Sequence, residues 1–105
     1  MSTRIIAIGG DTMVELSGLY DEYNEAYVND ATVTFDLLDG STAISEDISM
    51  SYVSGSNGQY RGIIPAATST NLVEHKWYQL DITGIKDTGT YREKREAQAK
   101  RIEDE

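Results

Sequence analysis

Cysteine is absent from this 105-residue chain. That excludes an inter-sheet disulfide, Cys-ligated structural zinc and thiol catalysis together, and argues mildly against an oxidising compartment. Histidine occurs once, as His75, and proline once, as Pro65; Trp77 and Phe35 are likewise single. With one histidine, a nucleophile–His–acid triad or a His-rich metal centre has little to draw on. His75 sits in a polar link and reads as an exposed loop residue. No apolar run is long enough for a membrane-spanning helix, and the start, MSTRIIAIGGD, is too short for a signal peptide. The glycines Gly9-Gly10, Gly55 and Gly58 open no helix that would hold a phosphate. Carboxylates are plentiful, yet no spacing singles out an acid/base pair. The expectation is a soluble protein that is not an enzyme, with no cofactor and no membrane.

Charge is abundant but uneven. The net charge is −9. Residues 1–90 carry thirteen acidic and four basic side chains, which accounts for all of it, while residues 91–105 carry five of each. An acidic body repels phosphate backbones, so nucleic acid is not an expected partner.

Turn residues separate short stretches of apolar/polar alternation, the all-β signature. Val14 and Leu16 share a side within 12–18. Val33, Phe35 and Leu37 alternate with Thr32, Thr34 and Asp36, and Asp39-Gly40 supplies a tight turn. Ile48, Met50 and Tyr52 alternate with Ser49 and Ser51. SGSNG, ending at Gly58, is a loop tip, and Tyr60 to Ile64 returns as a strand stopped by Pro65. Residues 66–71 are small and polar, as befits a crossover. Then comes LVEHKWYQLDIT, from Leu72 to Thr83, in which Tyr78, Leu80 and Ile82 face one way. A Leu six residues before a Tyr that begins such an alternation is the pattern of a tyrosine corner, in which the Tyr hydroxyl reaches back to the crossover backbone. The predicted fold is an Ig-like antiparallel β-sandwich of about seven strands over residues 10–90. Leu72, Tyr78, Tyr60 and Gly58 are its structural markers. Residues 1–9 are expected to be an arm or an extra strand. From Tyr91 the composition turns to helix formers, so 91–105 is predicted to be a charged helical extension with Ala97, Ala99 and Ile102 as its apolar points.

Two groups of residues invite a ligand or partner. Asp21, Glu22, Glu25 and Asp30 make an oxygen-rich loop, a candidate for Ca²⁺. Its spacing is not that of an EF-hand, and a solvated loop is the favoured reading, so no metal is expected. Seven tyrosines stand beside one Phe and one Trp, and Tyr23 and Tyr27 in this same loop suit either a protein contact or an ordinary loop. Trp77 has outward parity. Either its own chain's arm or tail covers it, or it anchors a partner. Arg92, Lys94, Arg95 and Arg101 make the tail a basic candidate for docking.

Gly10-Asp11-Thr12 leading into a short strand, YVNDATVTFDLLDG from Tyr27 to Gly40, SYVSGSNGQYRGIIP from Ser51 to Pro65, and the corner strand form a series. It resembles the small Ig-like proteins of tailed-phage virions, over roughly residues 10–83. The resemblance implies a head-decoration, neck or tail protein binding capsid, neck or tail proteins of the virion in multiple copies. Such a protein is made in the host cytoplasm. The competing class is an Ig-like module of a surface adhesin or baseplate, recognising a host receptor or carbohydrate.

Overall fold

The computed structural model describes residues 5–22, 25–86 and 89–101. In chain order these form β1 (Ile5–Ile8), β2 (Thr12–Leu16), β3 (Tyr20–Asp21), β4 (Ala26–Tyr27), β5 (Thr32–Asp39), β6 (Thr42–Tyr52), β7 (Tyr60–Ile64), a single helical turn α1 (Ala66–Ser69), β8 (Trp77–Lys86) and β9 (Gly89–Arg101). Seven strands make one sheet in the order β1-β9-β8-β5-β6-β7-β2, and β3 and β4 form a separate small hairpin. The protein is all-β in its architecture. Neighbours pair antiparallel except β1, which runs parallel to β9.

Alternation of side chains explains the strands. Val33, Phe35 and Leu37 of β5 are buried while Thr32, Thr34 and Asp36 face outward. The β5–β6 hairpin turns at Gly40, whose φ of 64° suits a residue without Cβ. Along β6 the register with β5 shifts between Phe35 and Leu38. Asp47 there adopts a φ of 57° and donates its N–H to Asp36 Oδ1 at 2.9 Å. This bulge bends the strand. β6 leaves β5 after Met50 and takes up β7 at Ser51.

The sheet therefore folds over on itself. Arg95 Nη1 of β9 donates to the Glu15 carbonyl of β2 at 2.6 Å, although the two strands lie far apart in the strand order. Both inner faces supply the core: Val14, Tyr60 and Ile64 from one end, Phe35, Leu80, Ile82, Ala97 and Ile6 from the other. Where they meet, β7 passes close over β5. A Cβ on Gly62 would stand 2.9 Å from Phe35 Cε1, Met50 Cγ and Ser49 O, so any larger residue forces these neighbours to shift.

Two tyrosine hydroxyls tie crossovers to this core. Val73 N–H donates to Tyr78 Oη at 2.8 Å, with Leu72 buried beside it. This is the contact the spacing of Leu72 and Tyr78 predicts. Tyr60 Oη donates to the Val28 carbonyl at 2.7 Å and accepts from Ala31 N–H at 3.1 Å. Burial is the main cause that pushes the Tyr60 phenol above its ordinary pKa. Gly58, at φ 67°, lies so close to Leu19 that a Cβ would fall 2.5 Å from its carbonyl oxygen. Gly10-Asp11-Thr12 is a second tie. Thr12 Oγ1 accepts from Ala7 N–H, Asp11 Oδ1 from Ala66 N–H, and the Gly10 carbonyl from the fully buried Ser69 hydroxyl, each at 2.8 Å.

The ends need correction. The tail predicted to be helical is strand β9 as far as Arg101, paired with β8 along the whole of β8. The boundary expected at residue 91 falls inside that strand. Helix propensity loses because an isolated helix of this length is marginal, whereas the strand buries Ala97 and Ala99 completely. These two alanines share a face at period two, not at the helical period. Ile102 lies outside the described residues. At the other end, Ile6 and Ile8 of β1 are buried while Ile5 is exposed, so the apolar run settles as a strand against β9.

Tyr78→Phe removes the acceptor of Val73 N–H and is expected to cost about 1 kcal/mol of unfolding free energy. Gly62→Ala is expected to cost about 1–3 kcal/mol through overpacking. Urea denaturation of both variants checks this, with circular dichroism unchanged.

Candidate partner-binding surface

Cross-strand register defines the outer face of β5, β8 and β9, because directly paired residues share a side. One row reads Ile5, Gln98, Trp77; the next Glu96, Gln79, Leu38; then Lys94, Asp81, Asp36; then Arg92, Thr83, Thr34; then Thr90, Ile85, Thr32. Trp77 is 55% exposed and Ile5, across Gln98, is 48% exposed. Among the described residues neither the arm nor the tail covers the indole, so the first of the two readings of Trp77 does not hold for them. Its backbone is well fixed. His75 N–H donates to the Ala99 carbonyl at 2.7 Å, and Ala99 N–H to the Lys76 carbonyl at 2.9 Å. Lys76 Nζ reaches Asp39 Oδ2 at 2.6 Å, and that hydrogen bond holds the ammonium above its ordinary pKa.

The middle of the face is charged. Asp36 and Asp81 lie opposite each other, with Lys94 next in the row. Among the described residues, Asp81 Oδ1 is buried without a hydrogen-bond partner. Arg92 and Lys94 project outward with Trp77, as the strand assignment requires. Arg95 does not. Its parity turns it inward, its side chain is 8% exposed, and it is held by Glu93 and the Glu15 carbonyl. It serves the fold, contrary to its expected place in a basic docking surface. Arg101 is exposed, with Nε 3.8 Å from Glu74 Oε1.

The acidic loop is largely the β3–β4 hairpin. Tyr27 packs edge-on against Tyr20, ring centroids 5.2 Å apart, and both are exposed. Tyr23 lies outside the described residues. Of the calcium candidates, Asp21 lies on β3 opposite Ala26, and Glu22 and Glu25 are exposed. Asp30 pairs with Lys86. Among the described residues no three carboxylate or histidine side chains converge as a metal site. His75 is exposed, its Nε2 3.7 Å from Glu74 Oε2.

A second exposed apolar pair, Met13 and Ile63, sits on the outer side of β2 and β7. Sequence reasoning passed over it, although the outward parity of both residues was visible. Beside it Glu15 Oε2 meets Arg61 Nε at 2.8 Å and also accepts from Gln59. The Arg61 hydrogen bond, then that of Gln59, lowers the Glu15 carboxyl below its ordinary 4.5.

Comparison with protein-family models, curated proteins and solved structures finds no match to this chain.

A depressed folded-state pKa means that Glu15 stabilises the fold above pH 4.5 and loses that contribution as pH falls through the lowered value. Glu15→Gln is expected to reduce stability at neutral pH by at most about 1 kcal/mol, because the pair is partly solvated. The difference from wild type should vanish in strong acid. Urea unfolding across an acid pH series measures both.

Proposed function

We propose that the chain is a non-enzymatic, Ig-like structural module of a tailed-phage virion, binding a head, neck or tail assembly in multiple copies. Two features support the Ig-like part. The strands divide into β2, β7 and the end of β6 on one side, and β5, β8 and β9 on the other, as Ig-like sandwiches divide. The Tyr78 hydroxyl also ties back to Val73 in the manner of a tyrosine corner. The virion part rests on the resemblance of residues 10–83 to such modules.

Trp77 carries the binding part of the reading. A half-exposed indole on a regular, backbone-locked sheet face presents apolar area at little entropic cost, which is the character of an interface anchor. Ile5 extends the apolar area across Gln98, and Arg92, Lys94 and Glu96 supply a polar border. In this reading the module stabilises the assembled state because it binds that state alone.

Co-sedimentation of the purified protein with head shells and with tail tubes tests the proposal. The protein should pellet with one of them, and Trp77→Ala should weaken that binding about ten-fold or more while leaving the melting temperature unchanged. A protein that pellets with neither overturns it.

A further inference from the structure

The chain has four asparagines, and only Asn57 precedes a glycine. Asparagine is a labile side chain, most of all where the next residue has no Cβ to keep its backbone nitrogen from the side-chain carbonyl carbon. Water is the only co-reactant. Gly58 N bonds to Asn57 Cγ as the Cγ–Nδ2 bond breaks, and the side-chain nitrogen leaves as ammonia, taking up the Gly58 amide proton. Water then opens the cyclic imide to aspartate or isoaspartate at position 57. Asn57 is exposed in the loop between β6 and β7, where water reaches it.

The attacking nitrogen, in contrast, is held. Gly58 is buried. Its N–H donates to Asn29 Oδ1 at 2.8 Å, and its carbonyl accepts from Leu19 N–H at 2.9 Å. The Leu19 carbonyl accepts in turn from Val28 N–H at 2.8 Å, at the base of the β3–β4 hairpin. Gly58 N can give up its proton to a base and turn on Asn57 only after it leaves Asn29. We propose that Asn57–Gly58 is a self-modification site, a deamidation site that Asn29 holds closed and that reacts when this loop parts from the base of the hairpin. Isoaspartate would then keep the loop from closing again. It inserts an extra methylene into the main chain beside Gly58, where even a Cβ would fall 2.5 Å from the Leu19 carbonyl oxygen. Either product also adds a carboxylate next to a hairpin and loop that already carry Asp21, Glu22, Glu25 and Asp30. An opening that reacts is thereby made permanent. This chemistry is independent of the virion reading, since it requires no other protein.

Peptide mapping by mass spectrometry of the full chain, incubated in mildly alkaline buffer, tests it. Folded wild type should convert at Asn57 about ten-fold or more slowly than the same chain unfolded in urea, because the reaction waits on a local opening. Asn29→Ala removes the acceptor and should speed conversion of the folded protein about five-fold. Asn29→Asp keeps an acceptor oxygen in place and should stay near the wild-type rate. Tyr78→Phe, weakened at the Val73 crossover instead, should also stay near it, which separates opening of this loop from global unfolding. Folded wild type that converts as fast as the unfolded chain overturns the proposal. Asn29→Ala that converts no faster than wild type overturns it too. The same holds if Asn29→Asp or Tyr78→Phe is accelerated as much as Asn29→Ala.

Discussion

The ladder between β8 and β9 is the interaction on which the rest of the structure depends. β8 lies between β5 and β9, and it buries Tyr78, Leu80 and Ile82 only while both its edges are paired. β9 completes that pairing and brings Ala97 and Ala99 into the core. It then provides the edge on which β1 lies, so that Ile6 and Ile8 have somewhere to be buried. It also carries Arg95 across the fold to the Glu15 carbonyl. Without β9, the apolar run at the N-terminus would lack a partner and the sheet would end at an open β8.

A sheet folded over on itself has crossovers at its ends, and their backbone groups need partners. Tyr78 and Tyr60 answer this by the same means. Each ring fills the core while its hydroxyl satisfies backbone groups of a loop, Val73 in one case and Val28 with Ala31 in the other. Gly58 and Gly62 are the counterpart of these large residues, since at both positions another backbone or ring comes too close for a Cβ. The fully buried Ser69 closes the remaining end by accepting from Gly9 N–H and donating to the Gly10 carbonyl. The consequence for function is a rigid frame whose outer face is free to carry Trp77, Ile5 and a graded set of charges.

Much of this was legible in particular residues. Val33, Phe35 and Leu37 marked a strand by parity alone, and Leu72 with Tyr78 marked a crossover contact by spacing alone. The helical expectation for the tail fails because its residues favour helix only individually, whereas pairing with β8 makes them a strand. The signal that contradicts helix, alanines at 97 and 99 between polar residues, is only two residues long. The inward side of Arg95 follows from the same pairing, since its side of the chain has no meaning until β9 is a strand.

The sequence by itself determined the all-β character, the inward residues of β5, β7 and β8, and the outward parity of Trp77, because alternation and turn chemistry are local. Tertiary structure alone decided that residues 89–101 are a strand, that Ile5–Ile8 pairs with its far end, and that Arg95 turns inward while Arg92 and Lys94 stay outside. Those outcomes turn on the free energy of completing an open sheet edge. That quantity belongs to strands far apart in the chain and cannot be read from either one.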